Sequence, residues 1–123
     1  MEVIYSYTWK DAVRDGMFVD VSEMAKEAGI KYPVAVTRNL HDRHIVPDEE
    51  AESWGQSRDG RLWDVLWMFS LAARKGGGSF MTYSVVFADR PGMTQTVLLN
   101  AVCEAAGPDD PTPVITIMLP EDR

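Results

Sequence analysis

His41, Asp42 and His44 are the densest cluster of groups able to hold a metal or move a proton. Histidines three apart on a helix share a face, and zinc accepts such a pair when further ligands arrive from elsewhere. Only Cys103, the single cysteine, or a remote carboxylate can supply them. The spacing is not that of a zinc-protease helix, so His41 and His44 are weak metal candidates, and the competing reading is two imidazoles that half-pack and hydrogen-bond. A thiol–imidazole nucleophile built on Cys103 is a further possibility. Alternation puts Cys103 on the inward face of a strand, however, where cysteine behaves as a small hydrophobe. Gly76-Gly77-Gly78-Ser79 follows a helix and precedes a strand, the reverse of a phosphate-cradling loop, and reads as a flexible connector. Arg61 and Asp64 flank Trp63, and Asp64 reads as a solvated or salt-bridged carboxylate. No cofactor is indicated, and no motif names a reaction.

The second group able to act is a surface. Asp48, Glu49, Glu50 and Glu52 follow one another with no base among them, and Trp54 stands just beyond. A charge run is ordinarily a solvated face; the alternative is a contact surface for a basic partner. Trp54 either folds back onto the domain as a plug, the reading its surroundings favour, or anchors that partner. Asp48, Glu49, Glu50, Glu52 and Trp54 are therefore the candidate partner-binding residues. Asp109, Asp110, Glu121 and Asp122 extend this surface if the ends of the last strand lie near the loop.

The bulk properties fit that surface better than direct nucleic-acid binding. A net charge of −7 repels nucleic acid and anionic lipid alike, so the partner it suits is a basic protein. One cysteine allows no internal disulfide, and the N-terminal MEVIYSYTWKD lacks the basic region and apolar run of a secretory signal; a cytoplasmic location is the expectation. No segment is long and apolar enough to read as a membrane span. The oligomeric state stays open.

These groups must be positioned by one domain spanning residues 1–123. Asp59–Lys75 reads as a long central helix, with Asp59 as N-cap and Gly76 at C′. Leu62, Val65, Leu66, Phe69, Ala72 and Ala73 form its main apolar face, and Trp63, Trp67 and Leu71 a second stripe, so the helix reads as buried on most sides. On that basis Trp67→Ala should cost about 3–5 kcal/mol. Before it, Val3–Tyr7 reads as a strand, Thr8 and Asp11 as a capping box for a short helix closed by Gly16, and Met17–Val19 as extended. Ser22–Ala28 reads as a helix capped from Asp20. Two readings compete for residues 33–44: Val34 and Val36 favour a strand, whereas Pro33 at N1 with Val34, Thr37, Leu40, His41 and His44 on one face favours a helix. The helix Pro33–His44 is the expectation. After the central helix, Ser79–Asp89, Thr94–Glu104 and Val114–Leu119 alternate as three strands with a turn at Arg90–Met93. The expected fold is α+β, with helices packed on one face of a C-terminal three-stranded antiparallel β-meander.

Four blocks, VIYSYTWKDAVRDGMFVDVSEMAKEAG, YPVAVT, GRLWDVLWM and PVITIMLPED, stand in an order that resembles a family of uncharacterised, plasmid-related small bacterial proteins. The resemblance implies a protein carried by plasmids, prophages or other mobile elements, and it brings no catalytic residues with it. It is weakest between His41 and Gln56. Small acidic proteins of that setting often counter host defences. The expectation is a non-enzymatic interaction protein, an inhibitor of anti-CRISPR or anti-restriction type that binds a basic, nucleic-acid-handling host protein. The alternatives are a small metal-dependent hydrolase using His41 and His44, and an adaptor that oligomerises through an open sheet edge.

Overall fold

The computed structural model describes residues 7–122. Thr8 caps α1 (Trp9–Arg14) through the full capping box: its hydroxyl accepts from Asp11 N, and the Asp11 carboxylate accepts from Thr8 N, both at 3.0 Å. The strand expected at Val3–Tyr7 falls outside the described residues but for Tyr7, which has no regular structure. After β1 (Phe18–Asp20), α2 (Ser22–Glu27) starts at Val21, which offers no side-chain cap; Asp20 instead accepts from Ser22 N. β2 (Val34–Thr37) is followed by a single helical turn, α3 (Arg38–Leu40), which runs into a π-helical turn at His41–Ile45. Then come α4 (Glu49–Ser53), α5 (Arg58–Arg74), β3 (Phe80–Arg90), β4 (Met93–Gly107), β5 (Asp110–Met118) and a 3₁₀ turn at Pro120–Asp122.

The fold is α+β, with a sheet of five described strands rather than three, in the order β1-β2-β5-β4-β3. The expected meander β3-β4-β5 is present and antiparallel throughout. β2 lies beside β5 and parallel to it, pairing Val34 with Ile115 and Val36 with Ile117. The chain from β2 to β3 therefore crosses the sheet, carrying α3, α4 and α5 over one face before the meander returns to β2. Tyr83, Val85 and Phe87 of β3, with Val97, Leu99 and Ala101 of β4, face the helices as alternation requires. Leu62, Val65 and Leu66 of α5 are fully buried against them, each contributing roughly 1.5–3 kcal/mol of transfer free energy. Tyr83 adds a hydrogen bond from its hydroxyl to the Val65 carbonyl (2.9 Å), and burial pushes its phenol well above the ordinary value. On the opposite face, Ala35 and Thr116 are also buried, and α1 packs there against β1 and β4.

Two expectations are corrected. Residues 33–44 are not one helix. Val34, Ala35, Val36 and Thr37 are all buried, and Ile115 N donates to the Pro33 carbonyl, so the segment supplies the parallel partner that β5 needs. A strand buried on both faces has no polar alternation and is easily mistaken for a helix start. Helix begins only at Thr37, whose hydroxyl caps Leu40 N.

The second correction concerns the outer stripe of the central helix. The helix spans Arg58–Arg74, within one residue of its expected bounds, although Ser57 and not Asp59 is its N-cap. Gly76 adopts φ +89°, as a C′ residue should. A single sheet covers only one side of it. Trp63 is half-buried, Trp67 is 38% exposed, and Ala73 lies in solvent. The two indoles stack on each other at 5.9 Å, and the Arg74 guanidinium lies 5.7 Å over the Trp67 ring. Trp67→Ala is accordingly expected to cost less than Leu66→Ala, which creates a cavity worth about 2–5 kcal/mol. Urea unfolding of both variants checks this, and a costlier Trp67→Ala would contradict it.

The acidic C-terminal segment is structural rather than free. Asp122 accepts from Thr37 Oγ1 (2.7 Å), Asn39 Nδ2 (2.8 Å) and Leu119 N (3.0 Å), pinning the 3₁₀ turn to the end of β2, and Glu121 pairs with Arg43 at 2.8 Å.

Candidate interaction surface

His41 and His44 do not form a metal pair. The π-helical turn closes through Val46 N to the His41 carbonyl, and this wider winding turns residues three apart onto different faces. His41 is buried with both ring nitrogens engaged: Nδ1 lies 2.8 Å from Asp42 Oδ1, and Arg58 Nε donates to Nε2 at 3.0 Å. An Nε2 that accepts must carry no proton, so the ring is held as the Nδ1–H tautomer and its lone pair is occupied. That contact lies at the first turn of α5, whereas Cys103 shares a cavity with Ala73 and Arg74 at the last. Seventeen residues of helix separate the two ends, roughly 25 Å, so no thiol–imidazole pair forms. Among the described residues, no group of three or more His, Cys, Asp or Glu side chains is placed to hold a metal ion.

His44 has a different role. It is half-buried, and desolvation, reinforced by Arg43 and Arg61 and opposed by Glu121, pulls its imidazole below the ordinary histidine value. Its protonation therefore disfavours the folded state. Stability from this group is complete above the unfolded value near pH 6.5 and falls as pH drops through it. The expected result is a melting temperature that declines between pH 7.5 and 5.5, with a smaller decline in His44→Gln. An identical decline in both proteins would contradict the assignment.

The residue that sequence reasoning missed is Arg61. It is 7% exposed and lacks a carboxylate partner among the described residues. Its Nε donates to Gln56 Oε1 (3.2 Å), Nη1 to the His44 carbonyl (2.9 Å) and Nη2 to the Ala88 carbonyl (3.2 Å). The guanidinium also lies 5.2 Å over the Phe87 ring. The planar fork thus holds together the loop before α5, the π-helical turn and the end of β3.

Two of those three segments carry the surface that contains Trp54. Asp48 caps α4 by accepting from Ala51 N at 2.8 Å, and Ala51 is buried, so the short helix is anchored with its carboxylates outward. Glu50 leans on the hairpin tip, its Oε1 3.4 Å from Arg90 Nε. Both ends of that pair are exposed, so it adds little energy and serves as a register contact. Glu49 and Glu52, one turn apart, have no cation within ion-pair reach among the described residues. Trp54 follows at the helix end and is 56% exposed, so it is not a plug. It borders a cavity of about 330 Å³ whose other walls are Gln56 and the β3–β4 hairpin tip from Ala88 to Thr94. Pro91 and Gly92 make that tip, with Gly92 at φ +76° as the second turn position requires. Met93 stands 59% exposed across the cavity from the α4 end.

Of the five residues expected to bind a partner, Glu49, Glu52 and Trp54 are thus free to do so, while Asp48 and Glu50 hold the surface in shape. Met93 and the hairpin tip join them from about forty residues further on, which only the register of β3 on β4 reveals. The other acidic groups do not extend this face. Glu121 and Asp122 are spent as described, and Asp109 and Asp110 border a separate cavity with Thr8 and Lys10. Asp64 on α5 is exposed, with partial desolvation holding its carboxyl above the usual range.

Among the described residues, no helix is long and apolar enough to cross a membrane. Comparison with curated proteins and with solved structures finds no match. The family model described as "Family of unknown function (DUF6573)" does match, over residues 1–123, and the chain belongs to that family.

Proposed function

We propose that this protein acts by binding another protein, with Glu49, Glu52, Trp54 and Met93 as its contact surface and a basic region as the complement. The observation that carries the reading is an exposed tryptophan set between unpaired carboxylates and a preformed cavity. Tryptophan is the residue most enriched at binding hot spots, and uncompensated like charges around it select an opposite-signed partner. The occupied nitrogens of His41 and the distance of Cys103 from both histidines leave a hydrolase with weaker support. In the mobile-element setting that the sequence blocks suggest, the partner is a host nucleic-acid-handling protein, and the action is inhibition of anti-restriction or anti-CRISPR type.

The test is affinity capture from a bacterial lysate with the wild-type chain and with Glu49→Lys/Glu52→Lys. Wild type should retain basic, nucleic-acid-binding proteins that the variant loses and that rising salt releases. Identical retention by both, indifferent to salt, would overturn the reading.

A further inference from the structure

A second cavity lies at the other end of α5, about 380 Å³, between the α2–β2 loop, the last two turns of the helix, the glycine connector, the start of β3 and the interior of β4. Its volume is at the lower end of small-molecule sites, roughly 300–1,000 Å³. Ile30, Phe69, Met81 and Ile115 give it an apolar wall. In a chain with nineteen acidic and twelve basic residues, none of its lining residues is acidic, while Lys31 and Arg74 both stand exposed at the rim. Ser70 adds a polar group to the wall. It is 7% exposed, it lines the cavity, and its hydroxyl makes no hydrogen bond to any described residue. That hydroxyl opens onto the cavity, where a bound polar group can pair with it.

Two helices end beside the cavity, and free carbonyl ends would repel an anion. Here part of each set is already taken. Lys75 N and Gly76 N donate to Ala72 O and Ala73 O, and Gly29 N and Ile30 N donate to Lys26 O and Ala25 O. The full charges of Lys31 and Arg74 at the rim oppose what remains of the helix-end dipoles.

We infer that this cavity binds a small amphipathic carboxylate, its hydrocarbon body against the apolar wall and its acid group held by Lys31, Arg74 and the Ser70 hydroxyl. The site is independent of the Trp54 surface and stands or falls separately from it. Cys103, the only cysteine, is half-buried in the same wall and reports occupancy. The experiment measures labelling of Cys103 by a thiol reagent, and amide chemical shifts of residues 29–32 and 101–103, during titration with octanoate or with uncharged octanol. Octanoate should shift those amides and, at about ten times its dissociation constant, slow labelling about tenfold by mass action. Octanol should bind more weakly, and Lys31→Gln/Arg74→Gln should weaken octanoate by about tenfold while leaving octanol unchanged. Absence of shifts at these amides with millimolar octanoate, or equal binding of octanoate and octanol, would overturn the inference.

Discussion

Arg61→Met is expected to lower the free energy of unfolding by about 3–5 kcal/mol, the largest loss we anticipate from a single polar substitution. Methionine replaces the apolar stem as far as the Nε position, so the loss reports mainly on the guanidinium. Three acceptors are left without their donor: the His44 carbonyl, the Ala88 carbonyl and the Gln56 amide oxygen. A fully buried acceptor stripped of its partner costs about 1–3 kcal/mol; these three are part-buried, so water reaching the gap recovers part of that. The face of Phe87 also loses its cation. Arg61→Lys should fall between, because an ammonium keeps the charge and loses the planar fork that reaches three segments at once. Urea unfolding followed by circular dichroism measures both variants. A methionine variant within about 1 kcal/mol of wild type would show that the three acceptors are satisfied some other way.

Trp54→Ala is expected to abolish partner capture while sparing the fold. A tryptophan at the centre of a contact typically contributes about 2 kcal/mol or more, which corresponds to a drop of about 30-fold or more in affinity. The ring is more exposed than buried, so unfolding free energy should move by no more than about 1 kcal/mol. This contrast separates the residue from Arg61. Gln56 and Ala88 both bond Arg61 and line the Trp54 cavity, so loss of Arg61 should weaken binding and stability together. A Trp54→Ala protein that is as unstable as Arg61→Met would make the indole a core residue after all.

The parts of the fold legible in the sequence were those with one wet face. β3 and β4 alternate because their outer side meets solvent, and the alternating set Tyr83, Val85, Phe87, Val97, Leu99 and Ala101 lies in the core. The capping box at Thr8 and the C′ glycine at Gly76 were local chemistry and equally plain. β2 was lost because burial on both faces removes the alternation that marks a strand. Trp67 was overrated for a related reason: helical periodicity shows which residues share a stripe, and only the layer count shows whether a stripe is covered. Arg61 was invisible because its bonding partners lie 5, 17 and 27 residues away. A lone arginine in the first turns of a helix reads as solvated until the chain brings carbonyls to it. Of the acidic loop, sequence supplied the charge and the tryptophan. It left out the hairpin tip that turns them into a cavity, because that juxtaposition depends on the whole sheet.

The most direct test of the interaction surface is a hydrogen-exchange footprint of the chain in complex with the protein it captures. Protection is expected at the amides of residues 49–54 and at the hairpin tip around residues 90–93, with the remainder of the sheet unchanged. Protection confined to the edge strand β1, to the cavity beside Cys103, or to no segment of the acidic face would contradict the assignment of Glu49, Glu52 and Trp54 as the binding surface.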